Sequence, residues 1–251
     1  MKLVSFVSAG HPGHGVVKDG GVVDLSHRFG DRLPTLRALL AAGALAEAEA
    51  APREAAPDFP LEGPELAPVI PNPDKTICVG LNYRDHVAET GRTETAKPAL
   101  FGRFAGSQVG HLQPLVKPKA SDEFDYEGEL AVVIGKEGRR IPAERAGVCG
   151  GLLLLQRGQR PRLAAPHQPV LRGQVVQRTT TDLMITSIPE RITTVSTILP
   201  LLPGDVIVSG TPGGVGLKRN PPLFVRAGDV AEVEISGIGV LRNPVVAENE
   251  A

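Results

Sequence analysis

Two glutamates one residue apart, Glu127 and Glu129, offer the plainest chemistry in this sequence. They sit in Asp125-Tyr126-Glu127-Gly128-Glu129-Leu130-Ala131-Val132-Val133-Ile134-Gly135, which reads as a strand. Alternate side chains of a strand share a face, so the two carboxylates would lie roughly 6 to 7 Å apart, with Leu130, Val132 and Ile134 on the other side. The run continues apolar on both faces, which argues for burial. Buried carboxylates lose hydration and repel each other, so one takes a proton or a cation sits between them. A hard divalent ion with oxygen ligands meets that need: Mg2+ first, then Mn2+ or Ca2+. A second pair follows Asn82, a candidate helix cap, where His86 and Glu89 stand three residues apart on one helix face. A carboxylate beside an imidazole orients it and raises its basicity, as a general base requires. Taken alone such a pair is more often a surface contact worth a few tenths of a kcal/mol; its place straight after a buried strand, where sites tend to form, narrows that preference without reversing it. The third feature, Ser209-Gly210-Thr211-Pro212-Gly213-Gly214-Val215-Gly216, exposes backbone N–H groups and a hydroxyl suited to a carboxylate or phosphate. It lacks the Gly-Lys-Ser/Thr ending of a nucleotide loop, which excludes an NTPase of that kind.

The elements that must position these groups are short. Thr76–Gly80 reads as a buried strand feeding the His86 helix, and the Pro203–Ser209 turn and strand feeds the Gly-rich loop. Lys97–Phe104 reads as a strand with Ser107 in the loop after it. A helix is expected over Ile188–Leu199, with Asp182 before it as a cap or turn residue. Strands Asp229–Ile235 and Val240–Val246 close the chain after an Ala227-Gly228-Asp229 turn. At the start, a strand leads into a hairpin around Asp19-Gly20-Gly21, then an Ala/Leu-rich helix over Pro34–Ala50. Seven prolines between Pro52 and Pro73 mark a linker with little regular structure. These readings give a small N-terminal α/β domain over 1–70 and a second domain over 71–251. The fold class is mixed β with few helices (α+β), a β-roll or partial barrel. The 29 glycines, 23 prolines and few aromatics agree, favouring many short strands joined by turns over a helical bundle.

The net charge of −1 gives no electrostatic reason to bind nucleic acid or a membrane. The apolar run in Met1–Gly10 is too short for a signal peptide and no other run could span a bilayer, so a cytoplasmic protein is expected. Cys78 and Cys149 fit buried reduced thiols rather than a disulfide framework or a thiolate zinc site. His11, His14, His27 and His111 have no spacing that suggests a site and read as surface or loop residues. His167 is given no role.

Three ordered motifs together resemble the fumarylacetoacetate hydrolase family: Gly80–Glu89, Asp125–Leu130 and Ser209–Gly216, with a similar ending over Gly228–Ile235 and Leu241-Arg242-Asn243. The resemblance covers about 70 to 150 and 175 to 249. It implies a β-roll fold, a homodimer, and a Mg2+ or Mn2+ site that holds the oxygens of a 2-oxo acid or 1,3-dicarbonyl, in aromatic-compound catabolism. By the same resemblance Glu127 and Glu129 bind the metal, His86 with Glu89 activates water, and Thr211 holds a substrate carboxylate, with Tyr83, Arg103, Ser107 and Gly210 around the substrate. The resemblance further implies that the metal stabilises the enolate of such an acid; relatives use that enolate for hydrolysis, decarboxylation or isomerisation, and the residues do not choose among them.

One stretch departs from the family pattern. From Arg145 to Thr181 there are six arginines and no acid in an otherwise balanced chain. After the Gly-Gly pair the family continues as Gly-Tyr-Ser-Cys-Tyr-Asn-(Asp/Glu)-Gly, which carries the third acidic metal ligand, with a catalytic lysine further on. Here Leu152-Leu153-Leu154-Leu155-Gln156-Arg157-Gly158 stands instead. Those residues are what plausible family codons give when read one base out of frame, so residues from about 152 to 174 read as a frameshifted translation. The third ligand's codon then falls in Arg157 and the lysine's near Gln174, and the family's next segment, roughly thirty residues, is missing. A remnant that keeps the fold without metal or turnover is the alternative that follows. The missing strand would expose a sheet edge.

Overall fold

The computed structural model describes residues 1–53, 55–94, 97–151 and 166–249, with 147–151 known by backbone path alone. The chain opens with an antiparallel pair, β1 (Lys2–Ser8) and β2 (His11–Lys18), and β2 turns at Asp19-Gly20 into β3 (Gly21–Asp24). Both turn residues have positive φ, 49° and 77°, as a two-residue hairpin demands. The proline run is not a free linker. Its β4 (Phe59–Pro60) pairs with β3 and its β5 (Glu65–Leu66) with β1, so it straps both edges of a sheet ordered β4-β3-β2-β1-β5. Edge strands are where proline is tolerated, since an edge residue need not donate to a ladder. After α1 (Leu25–Phe29), the helix expected over Pro34–Ala50 is two, α2 (Leu36–Ala41) and α3 (Leu45–Ala50). They part at Gly43, whose φ of 65° ends a helix at little cost.

His14, expected at the surface, is fully buried on β2. Its Nδ1 meets the Ser26 hydroxyl at 3.0 Å and its Nε2 has no partner among the described residues. Burial holds its pKa below the ordinary value, with Asp24 opposing in part. The folded chain therefore resists protonation that the unfolded chain accepts, and this contribution to stability is present above pH ~6.5 and lost as pH falls below it. In thermal melts the His14→Gln variant, uncharged throughout, should lose less melting temperature between pH 7.5 and 5 than the parent. Equal losses would rule His14 out as the sensor.

The remaining strands are β6 (Thr76–Gly80), β7 (Ala99–Arg103), β8 (Leu115–Lys117), β9 (Ala131–Ile134), β10 (Gly150–Gly151) and β11 (Pro166–Leu171). They are followed by β12 (Gln174–Val175), β13 (Thr179–Thr180), β14 (Val206–Val208), β15 (Val230–Ile235) and β16 (Gly239–Ala247). One sheet runs β10-β9-β14-β6-β7; the other runs β12-β11-β15-β16-β8, with β13 also on β11. The result is a mixed fold with few helices, a curled half-barrel of sheet. Three further helices serve it: α4 (Arg84–Glu89), α5 (Ala143–Cys149) and α6 (Ile188–Ile198).

The middle of the first of these sheets is buried on both faces. Val132, Ile134, Ile77, Val79 and Ile207 pack with Ile192 and Val195 of α6, while Val133 and Val206 turn the other way onto Leu36, Leu39 and Leu40 of α2. Alternation along each strand sends neighbours to opposite sides. The N-terminal helices and the sheet thus share one core. At α6, Ser187 and Glu190 form a capping box, so Asp182 is not the cap; it lies in a 3-10 turn, Thr181–Leu183.

Two expectations change here. The strand foreseen over Asp125–Gly135 is regular only as β9, because the backbone groups before it bond elsewhere: the Gly128 N–H donates to Gln177 Oε1 at 3.0 Å, and the Leu130 carbonyl accepts from the Ser209 N–H at 3.0 Å. A Cβ at Gly128 would lie 2.0 Å from Pro169 Cγ, so that loop needs glycine for its close approach to β11. And residues 166–171, inside the stretch read as out of frame, form β11, paired with β15 from His167↔Ile235 to Leu171↔Ala231. Its burial alternates residue by residue, and Arg172, just after it, pairs with Asp229, just before β15, at 2.8 Å. β15 is therefore covered. Residues 152–165, Arg157 among them, lie outside the described residues.

Candidate active site

Strand register brings the candidate groups to one end of one sheet. β6 and β14 are parallel with Val208 beside Cys78, and β9 is antiparallel to β14 with Ala131 beside Val208. Two strands therefore end, and one begins, on a single edge. Beyond β6 comes α4 with His86, beyond β14 the Gly-rich loop, and before β9 the pair Glu127 and Glu129. Loops at the carboxyl ends of parallel strands are where open sheets place ligands.

His86 is buried, and its Nδ1 bonds to Glu89 Oε1 at 2.7 Å. A carboxylate accepts, so Nδ1 carries the proton and Nε2 keeps a free lone pair. The other oxygen of Glu89 accepts from the Gly214 N–H at 2.7 Å, which ties the carboxylate to the Gly-rich loop. Gly214 has φ of 98°, and a Cβ there would sit 2.9 Å from the Val176 carbonyl oxygen. Glu129 Oε2 accepts from the Gly210 N–H. Burial first, then the charge of Glu127, push the Glu129 carboxyl up to about 7, against the pull of that N–H and of Arg103. Glu127 is exposed; partial desolvation of its carboxyl still raises its pKa, while nearby His86 lowers it. The charge of Glu127 is felt at Glu129, and a loop rather than a strand holds the two, with Glu127 exposed where burial of both is expected from the sequence.

The other expected residues are placed unevenly. Arg103 is exposed at the end of β7; its Nε bonds to Ser107 Oγ at 2.9 Å and its Nη2 to the Ser107 carbonyl at 3.1 Å. Its charge reaches both Glu129 and Cys78. Thr211 is buried, with Oγ1 accepting from Gln177 at 3.0 Å. Tyr83 is wholly enclosed, its ring edge-on to His167 at 6.2 Å, and burial raises its pKa. Neither an enclosed phenol nor the Gly210 N–H, which Glu129 occupies, is free to touch a substrate here. Asn82 does not cap α4, whose N-cap is Tyr83; it is buried and donates to the Ser209 carbonyl at 2.7 Å. Sequence reading passed over Gln177. Its amide accepts from Gly128, between the two glutamates, and donates to Thr211 and to the Pro212 carbonyl at 2.8 Å, joining the acidic loop to the Gly-rich loop. A lone glutamine carries no spacing signal that could have found it.

Two carboxylates of raised pKa, without a cation bonded to either among the described residues, are the donor chemistry of a hard divalent ion. Glu127 and Glu129 fit it as two ligands. Among the described residues no third His, Cys, Asp or Glu joins them.

The family model described as fumarylacetoacetate (FAA) hydrolase C-terminal matches residues 75–155 and 162–246. Its break falls inside the aberrant stretch. The oxaloacetate tautomerase FAHD2A, mitochondrial, of Bos taurus is 34% identical, with 98% of this chain and 92% of the relative covered. That alignment runs over 290 positions, 39 more than the 251 residues available, so at least that many positions of the relative face no residue here. Among solved structures, the fumarylacetoacetate hydrolase of Exiguobacterium antarcticum superposes with a TM-score of 0.76 at 28% identity, covering 99% of this chain and 100% of that one. Maleylpyruvate hydrolase of Sphingobium sp. SYK-6, solved with manganese(II) and pyruvate, shares the fold: TM-score 0.80, 23% identity, 98% and 99% covered. Among the described residues no helix is long and apolar enough to cross a membrane.

Proposed function

This chain belongs to the fumarylacetoacetate hydrolase family, and from that premise we propose that its site enolises a 2-oxo or 1,3-dicarbonyl acid with a divalent cation, Mg2+ or Mn2+. The observation that carries the reading is the His86–Glu89–Gly214 relay set on the same sheet edge as Glu127 and Glu129. Glu127 and Glu129 would hold the metal, which when bound supplies Lewis-acid polarisation of the substrate's oxygens. Glu89 fixes His86 in the tautomer whose Nε2 accepts a proton, and the Gly214 N–H keeps Glu89 from turning away. His86 then takes the proton from the carbon between the carbonyl groups and returns it to oxygen or carbon. Arg103, steadied by Ser107, is the exposed cation suited to a substrate carboxylate, as a forked guanidinium pairs well with that group. Keto–enol exchange of an oxo diacid needs these parts alone, and the bovine relative's name supports it. Hydrolysis needs in addition an ordered water, as the names of the hydrolase structures would ask. The same reading includes a setting in aromatic catabolism and a homodimer, for which exposed Phe101 and Phe104 offer apolar surface.

The test is exchange of the C3 protons of oxaloacetate into deuterated water, followed by NMR with Mn2+ or Mg2+ present. Acceleration well above metal alone supports the reading; none overturns it. A second reading, a remnant that keeps the fold without turnover, is favoured by the positions missing from the alignment and the lack of a third ligand among the described residues. Metal analysis separates the two: one tightly held ion per chain speaks for the enzyme, and none at millimolar metal for the remnant.

A further inference from the structure

Arg191 on α6 is 2% exposed, yet no carboxylate accepts from it among the described residues. Its neighbour Glu190 is engaged in the helix cap with Ser187. The guanidinium donates through Nη2 to Asn82 Oδ1 and through Nε to the Thr186 carbonyl at 3.4 Å, and Nη1 has no partner among the described residues. The small void beside it is lined by Val132, Ile188, Ile192 and Ile207, with the Ser209 hydroxyl also unpartnered among the described residues. An apolar side chain would suit such surroundings better, because a buried charge without a counter-ion is costly. What the arginine does there is saturate one oxygen. Asn82 Oδ1 receives Arg191 and the Thr186 N–H, at 2.9 Å, so the amide cannot turn over, and Nδ2 must face the Ser209 carbonyl. Ser209 leads directly into Gly210, whose N–H holds Glu129, and a Cβ at Gly210 would lie 2.7 Å from Asn82 Cβ. Arg191 and Glu129 are thus joined through the side chain of Asn82 and one turn.

We propose that Arg191 is a positioning residue: by locking the amide of Asn82 it sets the Ser209-Gly210 turn and so aims the carboxylate of Glu129. Its relevance to metal rests on the role given to Glu129 above, but the positioning itself does not. Arg191→Met keeps the bulk and removes the donors, Arg191→Gln keeps one donor without charge, and Arg191→Lys keeps the charge. Hydrogen exchange of the full chain without metal, read on peptides spanning 205–216, should rise several-fold in Arg191→Met, with β15 and β16 unchanged and the melting temperature equal or higher. Arg191→Lys should restore part of the protection. Titration with Mn2+ should show affinity lower by roughly tenfold to a hundredfold in Arg191→Met, as when a group supporting a ligand is lost. Unaltered exchange at 205–216 overturns the proposal, and so does a rise spread evenly over the chain with a lower melting temperature. Should Arg191→Met fail to fold, the same comparison is made on Arg191→Gln. If exchange responds while no variant, nor the parent, binds Mn2+, the positioning stands and the metal reading is what fails.

Discussion

Replacing Glu129 by glutamine is expected to raise the melting temperature of the metal-free protein at pH 8 while abolishing turnover. The carboxyl is pushed from 4.5 up to about 7 by burial and by Glu127. A folded pKa above the unfolded one means that the folded chain binds the proton more tightly. The group's favourable share is complete below pH ~4.5 and is lost as pH rises through about 7, where folding must bury an ionised acid. At about 1.4 kcal/mol per pKa unit the cost at pH 8 comes to about 3 kcal/mol. In a chain of this size that is roughly 5 to 10 °C. Glutamine keeps the acceptor for the Gly210 N–H and removes the charge. Melts in chelator at pH 8 and pH 5 check this: the variant's advantage should be large at pH 8 and small at pH 5. An equal shift at both would mean that ionisation is not the cause. Added Mg2+ or Mn2+ should stabilise the parent and leave the variant where it was.

The second large effect is expected at His86. His86→Gln should lower turnover roughly a hundredfold to ten-thousandfold, the usual worth of a positioned base, with Mn2+ binding unchanged. Glu89→Gln should fall in the same direction, because a glutamine amide can donate to Nδ1 and invert the tautomer that Glu89 enforces at 2.7 Å. Steady-state kinetics over pH 5 to 9 provide the check. The parent's pH–rate profile should lose its dependence on the imidazole in His86→Gln, and Glu89→Gln should alter the same part of the profile. A variant with parental turnover would remove the imidazole from the mechanism.

The His86–Glu89 contact followed from helix spacing, since three residues along a helix face bring side chains together whatever surrounds them. The glutamate pair was legible as a pair but not in its backbone: alternation promised a strand, and tertiary bonds from Gln177 and Ser209 drew residues 125–130 out of the ladder. β11 was hidden because composition, six arginines and no acids, spoke louder than the two-residue burial rhythm of His167 to Leu171. The strapping of the first sheet by the proline run was equally hidden, as two-residue strands carry no periodic signal. Asn82 was read as a local cap, whereas its partners at 186, 191 and 209 are more than a hundred residues away. Contacts of that range leave no local trace.

The double-sided sheet in which Val133 and Val206 meet α2 has a consequence for anyone trimming this protein. The segment that the family model recognises begins at residue 75, so a fragment cut there would present an oily back to water where the leucines of α2 had lain. The edge that carries the glutamates and the face that the leading helices cover share β9 and β14. Chemistry at the rim therefore depends on a lid at the rear, and the first seventy residues are part of the enzyme's foundation rather than a preface to it.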